Sequence, residues 1–153
     1  MDKNERYKLL ELLEQSYEHW TKGRQFPVPS QEKQRYVWLD EQAPFGLLVQ
    51  NTKEDPTFIY ANQKAQDIFG YTLSEFLTTP SRKSAPTANQ EDRKQMLRDV
   101  EKTGISDNYK GTRVDHQGNL FEISKGSIWK VLDDSGKTVG IAAMIFVDAP
   151  PVV

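Results

Sequence analysis

Apolar residues recur along the chain with two different periods, and the change of period separates helical from extended segments. In residues 5–20 they lie three and four positions apart, which predicts an amphipathic helix. The stripe of this helix consists of Tyr7, Leu10, Leu13, Tyr17 and Trp20. A second, short helix is predicted over residues 31–42. The apolar runs at 45–50 and 57–60 flank a turn-rich loop and therefore predict a β-hairpin.

A helical segment is predicted directly after this hairpin. Apolar residues at i, i+4, i+7 and i+8 define one helical face, formed by Ala61, Ala65, Ile68 and Phe69. Asn62 is a suitable N-cap, because its side chain can accept a free backbone N–H, and Gly70 is a suitable end. Residues 72–75 have a capping-box pattern that starts another short helix. A third helix is predicted between Asn89 as its cap and Gly104 as its end.

The last third of the chain has the pattern of β-structure. Long β-rich runs occupy residues 105–115, 120–132 and 138–147, with turn sequences between them. In the middle run, residues of one parity are apolar, namely Phe121, Ile123, Trp129 and Val131. Because alternate residues of a strand point to the same side, this pattern predicts that they share one face, and that the sheet has one face against the core.

The order of these elements resembles that of the PAS fold, a sensory and interaction module. A phrase of the kind Tyr-x-Asn-x-x-Ala followed by Phe-Gly-Tyr recurs in such domains after the second strand. Here it is Tyr60-Ala61-Asn62-Gln63-Lys64-Ala65 and Phe69-Gly70-Tyr71-Thr72-Leu73-Ser74-Glu75. The resemblance implies an α+β fold, with a five-stranded antiparallel sheet, helices on one face and an N-terminal helical extension.

The chain is more specifically similar to the MEKHLA family, a PAS-like domain. The segments that carry this resemblance are Ala43-Pro44-Phe45, Pro80-Ser81-Arg82-Lys83-Ser84-Ala85, Tyr109-Lys110-Gly111-Thr112-Arg113 and Trp129-Lys130-Val131-Leu132-Asp133. The expected organisation is an N-terminal extension over residues 1–42, a PAS-like domain over 43–148 and a frayed tail over 149–153. The resemblance implies sensing or protein–protein regulation rather than a defined reaction.

In a PAS-like fold the helices after the second strand can enclose a small space over the sheet. The residues expected to line it are Tyr60, Phe69, Tyr71, Arg82, Tyr109, Arg113, Phe121 and Trp129. The aromatic members could line a ligand pocket, but aromatic residues at these spacings more often form ordinary core, since protein interiors are close-packed. Arg82 and Lys83 stand between two serines and could hold a carboxylate or phosphate. The favoured interpretation for Arg82 is instead an ion pair with a nearby Asp or Glu, because structural ion pairs are commoner than ligand clamps.

The amino-acid composition excludes several kinds of binding and catalytic site. A formal net charge of −2 gives no general attraction to nucleic acid or to anionic lipid. The absence of cysteine excludes thiol nucleophiles, cysteine metal sites and thiol-linked cofactors, and it fits a cytoplasmic protein. His19 and His116 are the only histidines and lack neighbours at ligand spacing, so no metal site is predicted. No signal peptide, membrane-spanning segment or glycine-rich phosphate loop is predicted.

Three hypotheses remain open. The first is a non-catalytic PAS-like module that binds a small ligand of unknown identity or a protein partner. The second is a dimerisation protein, in which the N-terminal helix and the sheet face form a two-fold homodimer. The third is a small cone-shaped α+β enzyme, similar to ketosteroid isomerases, which needs a deep acid or base. Asp67, Asp107 and Asp115 are the candidate carboxylates for it, although each fits a surface or turn role, and no catalytic residue is assigned.

Overall fold

The chain, seen in a computed structural model that describes residues 1–147, alternates helical and extended segments in the predicted order. The helices are α1 (Lys3–Trp20), α2 (Arg35–Glu41), α3 (Gln63–Phe69), α4 (Leu73–Phe76) and α5 (Gln90–Thr103). The strands are β1 (Gly46–Gln50), β2 (Phe58–Ala61), β3 (Ile105–Val114), β4 (Leu120–Leu132) and β5 (Thr138–Val147). Short 3₁₀ turns at Ser81–Ser84 and Thr87–Asn89 connect α4 to α5. The predicted tail at 149–153 lies outside the described residues.

The five strands form one antiparallel sheet in the order β2-β1-β5-β4-β3. The last strand therefore enters the centre of the sheet, between the first hairpin and the β3–β4 pair. Helices α3 to α5 lie between the two halves in sequence and cover one face of the sheet. The predicted α+β fold with a five-stranded antiparallel sheet is thereby confirmed.

Local capping explains where most of the inserted helices begin and end. The Asn62 side chain accepts the Ala65 N–H at 3.0 Å, and Gly70 ends α3 in the left-handed conformation with φ of 74°. Thr72 and Glu75 form the reciprocal capping box at the start of α4. The expectation for Asn89 is wrong in one respect: it precedes α5, but its side chain makes no capping hydrogen bond, because a 3₁₀ turn leads into this helix instead.

The prediction that Phe121, Ile123, Trp129 and Val131 share one face of the sheet is wrong. Phe121 and Ile123 pack against the inserted helices, whereas Trp129 and Val131 pack on the opposite side. The pairing of β4 shifts between Ser124 and Ser127, where Lys125 adopts a φ of 53°. An irregularity of this kind changes which residues point to which face for the remainder of a strand.

The N-terminal extension covers the second face of the sheet, so both faces are buried rather than one. All five residues of the predicted stripe pack there: Tyr7, Leu10, Leu13, Tyr17 and Trp20. The indole Nε1 of Trp129 donates to the Leu13 carbonyl at 3.0 Å, and that of Trp20 donates to the Lys130 carbonyl at 2.8 Å. Both faces of the sheet are covered, and alternate residues of β5 therefore pack into two different buried clusters. This explains why the strand is apolar along its whole length.

Candidate functional site

A small cavity lies between α5 and the sheet, on the face covered by the inserted helices. Its volume is about 50 Å³, which is room for roughly four water molecules. Most of its wall is apolar and comes from the helices and the central strands, with Leu48, Phe69, Met96, Leu97, Ile123, Ile128, Ile141, Ala142, Ala143 and Ile145. The remaining wall is polar and is formed by Gln50, Ser81, Ser84, Arg93 and Arg113. The cavity therefore has an apolar part and a cationic part.

The cationic part is organised around a short chain of hydrogen bonds. Arg93, which is 7 % exposed, donates through Nη2 to the Ser81 hydroxyl at 2.8 Å. That hydroxyl donates in turn to the Oε1 atom of Gln50. The Ser81 N–H also bonds the Pro56 carbonyl at 2.7 Å, which fixes the 3₁₀ turn against the start of β2. Ser81, the hydrogen-bond partner of Arg93, is thus held in turn by β1 and by the segment before β2.

The second buried cation, Arg113, is held by its own strand. It is 8 % exposed, and its Nη2 donates to the Tyr109 hydroxyl at 3.1 Å while its guanidinium lies 5.3 Å from the centre of that ring. The Tyr109 ring lies along the strand over Gly111, where a Cβ atom would come within 2.5 Å of its hydroxyl oxygen. Gly111 is thus needed for this arrangement. The segment Tyr109 to Arg113 acts as one unit that directs a cation into the cavity.

Within residues 1–147, neither of these arginines has an acidic partner. No carboxylate of the described residues lies within salt-bridge distance of Arg93 or Arg113. Burial lowers the pKa of the Arg93 guanidinium, and the positive charge of Arg113 lowers it further. The two charges therefore oppose each other within the same wall of the cavity.

The predicted pocket residues fall into several places. Phe69 and Arg113 line the cavity. Tyr71 and Phe121 are half-buried beside it in the cluster formed by α3 and α4, and Tyr109 contacts Arg113. Arg82 points outward and pairs with Asp55 at 3.2 Å, with about half of its side chain exposed.

Tyr60 and Trp129 lie on the opposite face of the sheet, in the cluster formed with α1. The Tyr60 hydroxyl donates to Asp40 at 2.6 Å, and Asp40 also accepts from Arg6 at 3.1 Å. Burial, together with the neighbouring carboxylate of Asp40, raises the pKa of Tyr60 far above its ordinary value. These groups tie α1 and α2 to the sheet and do not reach the cavity.

Arg93 and Gln50 are site residues that the sequence analysis missed. Arg93 precedes Met96 by three positions and Val100 by seven, so it occupies the buried stripe of α5 that those two residues define. Gln50 follows Leu48 by two positions in β1 and therefore points to the same face. In both cases the spacing from neighbouring apolar residues placed the side chain on the buried face. It was missed because charged and amide side chains are seldom counted as part of an apolar face.

The remaining candidate groups lie away from the cavity. Asp67 accepts a hydrogen bond from Gln63 on the surface of α3, Asp107 contacts Arg24 and Ser127, and Asp115 closes a turn. No group of three or more His, Cys, Asp or Glu side chains suited to a metal occurs in residues 1–147. No helix of that range has the length and apolar character needed to cross a membrane.

The chain matches the family model of the MEKHLA domain over residues 7–147. No curated protein has a significantly similar sequence. Among solved structures, the chain is similar to a PAS domain from Colwellia psychrerythraea, with 15 % identity and a TM-score of 0.66 over 76 % of this chain and 95 % of that one.

Two further solved structures are similar. One is a domain of a sensory box sensor histidine kinase/response regulator from Geobacter sulfurreducens, with 17 % identity and a TM-score of 0.56 over 72 % of this chain and 89 % of that one. The other is a light-oxygen-voltage domain whose mechanism was addressed with a flavin analogue, with 18 % identity and a TM-score of 0.58 over 69 % and 78 %. At these identities the similarity establishes the fold.

A flavin does not fit this chain. Pockets for ligands of that size span about 300–1,000 Å³, whereas this cavity has about 50 Å³. The chain also has no cysteine that could form a covalent adduct with a flavin. The fold shared with the light-oxygen-voltage domain is therefore no evidence that this chain binds a flavin.

Proposed function

We propose, from the premise that this chain belongs to the MEKHLA domain family, that it is a non-catalytic sensory module whose cavity beneath α5 binds a small ligand. The observation that supports the proposal is the cavity wall itself, which joins an apolar surface to a fixed polar cluster. Binding sites for small molecules characteristically combine an apolar lining with a few oriented polar groups. A cavity of about 50 Å³ restricts the ligand to a few non-hydrogen atoms, unless α5 moves.

The proposal also concerns how the two parts of the chain act together. The sequence predicts an N-terminal extension over residues 1–42 and a PAS-like domain over residues 43–148. We propose that they act as one folding unit, because Leu13 of α1 and Trp129 of β4 share a hydrogen bond and a cluster of buried side chains. A ligand signal that reaches the sheet would then pass to α1 without crossing a flexible linker.

The direct test is methyl NMR of the full chain with small organic acids, their amides and flavin mononucleotide as added compounds. The proposal expects at least one small compound to shift the methyl signals of Ile128 and Ile145, which line the cavity, before those of α1. Native mass spectrometry of freshly purified protein gives a second readout, through a retained mass that denaturation removes.

Two substitutions of the same kind provide the control. Ala143→Leu fills the cavity from β5, whereas Ala88→Leu adds the same atoms at an exposed position of the connecting segment. Binding should be lost in the first variant and retained in the second. If no compound perturbs the cavity methyl groups of the unmodified protein, and no mass is retained, the ligand proposal is wrong.

Partner binding is the other form of the module hypothesis, and a homodimer through α1 is its most specific version. The stripe expected to form that dimer packs on the sheet of its own chain, with Leu10 and Leu13 fully buried. A dimer through this stripe would have to replace those contacts. Sedimentation of the full chain at several concentrations tests whether this dimer forms.

The cytoplasmic location stays a prediction from composition.

A further inference from the structure

The guanidinium groups of Arg93 and Arg113 are underused as hydrogen-bond donors. Arg93 donates one hydrogen bond to the described part of the chain, to Ser81, and Arg113 donates two, to Thr112 and Tyr109. A guanidinium carries several N–H donors and requires acceptors for them when it is buried. No side-chain nitrogen that is fully shielded within the described residues lacks a partner. The remaining donors are therefore accessible to water, and both arginines line the cavity.

Two buried positive charges in one wall of the cavity are energetically unfavourable unless an anion compensates them. More than nine-tenths of each arginine is buried, both are cationic, and no carboxylate of residues 1–147 pairs with either. Isolated buried charges are strongly disfavoured, and proteins ordinarily pair them. An anion in the cavity would satisfy the unused donors and also screen the repulsion between the cations.

The shape of the cavity restricts which anion can do this. Apart from the polar groups, the cavity is lined by aliphatic and aromatic side chains that include Leu48, Ile128 and Ile145. A doubly charged anion such as phosphate would leave oxygen atoms facing this apolar wall without donors, which is costly. A carboxylate presents its oxygens on one side only, and a short alkyl group behind it would contact the apolar wall.

We propose that Arg93 and Arg113 bind the carboxylate of a short aliphatic monocarboxylic acid. Ser81 orients the Arg93 guanidinium by accepting its hydrogen bond, and the alkyl group of the ligand lies against Ile128 and Ile145. This inference rests on the proposed function, since it names the chemical class of ligand for the same cavity. Arg93 would bind the ligand carboxylate through hydrogen bonds and through its positive charge. Arg113, held over Gly111 by Tyr109, completes the anion site from the sheet.

Propionate is the probe, and propionamide is its neutral counterpart of nearly the same shape. Titration of the full chain by methyl NMR should show saturable shifts at Ile128 and Ile145 with propionate and none with propionamide. Arg93→Gln removes one charge of the site and should weaken propionate binding by at least about tenfold, the effect of losing one charge-assisted hydrogen bond. Arg98→Gln makes the same change at an exposed position of α5 and should leave the affinity unchanged.

A stability measurement distinguishes the anion site from a purely structural role. In buffer without carboxylate, Arg93→Met should equal or exceed the thermal stability of the unmodified protein, because it removes a buried cation with which no carboxylate of residues 1–147 pairs. Propionate should raise the melting temperature of the unmodified protein and not that of Arg93→Met. A large loss of stability without ligand would assign Arg93 to the structure and overturn the inference.

The outcomes separate this inference from the function on which it rests. Binding of propionamide as tightly as propionate, or saturable binding of phosphate in place of propionate, would overturn the carboxylate assignment and leave a ligand-binding cavity. Equal weakening of propionate binding by Arg98→Gln would show that the anion binds elsewhere. If no compound reaches the cavity at all, the inference and the proposed ligand-binding function fail together.

Discussion

Replacing Asn62 by alanine tests the junction that holds α2, β1 and α3 together. The side chain is fully buried, and its oxygen accepts the N–H groups of Leu47 at 2.9 Å and of Ala65 at 3.0 Å. Its amide nitrogen donates to the carbonyls of Leu39 at 2.9 Å and of Phe45 at 3.1 Å. Alanine removes all four of these hydrogen bonds at once.

The expected loss follows from those contacts. Loss of the N-cap costs about 1 kcal/mol, and a buried Leu47 N–H without an acceptor costs about 1–3 kcal/mol. With a smaller contribution from the two carbonyls, Asn62→Ala should lower the free energy of unfolding by about 3–5 kcal/mol. This is a large share of the roughly 5–15 kcal/mol that is typical of a whole domain.

Urea unfolding followed by tryptophan fluorescence measures the effect. With a denaturant slope of about 2 kcal/mol per molar urea, the midpoint should fall by about 1.5–2.5 M. Asn4→Ala, at an exposed position of α1, is the control and should leave the midpoint nearly unchanged. A decrease of less than about 0.5 M for Asn62→Ala would refute the idea that these hydrogen bonds organise the junction.

Asn62→Asp sharpens the test, because the shape is retained while the amide donor is replaced by oxygen. The introduced carboxyl would face two carbonyls in a buried site, so its pKa should rise above the ordinary value of about 3.9. A raised folded-state pKa means that the stability of the variant is greatest below the unfolded-state pKa. It should decrease as the pH rises through the folded-state pKa. A variant whose unfolding midpoint followed the same pH curve as the unmodified protein would contradict this account.

Three further predictions concern other parts of the fold. Deleting residues 1–22 should yield aggregated or unfolded protein, seen by circular dichroism and size-exclusion chromatography, because it exposes one face of the sheet; a folded monomer would contradict this. Gly111→Ala should displace the Tyr109 ring and lower the unfolding midpoint by about 0.5 M urea, equivalent to about 1 kcal/mol; an unchanged midpoint would show that the ring is not fixed there. The backbone and side-chain hydrogen bonds of Thr72 lower the pKa of Glu75 below its ordinary 4.5. The ionised Glu75 therefore stabilises the folded state at pH values above 4.5, and this stabilisation is lost as the pH falls through the lowered pKa. Glu75→Gln should remove this pH dependence from the urea midpoints; identical pH curves for the two proteins would contradict it.

The contrast between two strands shows why some features could be predicted and others could not. The start of β5 follows from the turn sequence at residues 133–136 that precedes its apolar run, and this is a local signal. In β4, by contrast, Lys125 interrupts the alternation, and Trp129 therefore points to the opposite face from Ile123. A bulge is decided by pairing with neighbouring strands that are distant in sequence, so counting parity along one strand could not locate it.

The sequence by itself determined the elements, their order and the capping groups at Asn62 and Thr72, because these depend on residues a few positions apart. Only the tertiary structure decided that α1 covers the second face of the sheet. It also decided that Arg93 and Arg113 meet in one cavity in which no carboxylate of the described part of the chain pairs with them. The physical reason is that burial and charge pairing are properties of groups from distant segments. Their energies are set only when the sheet and its helices are assembled.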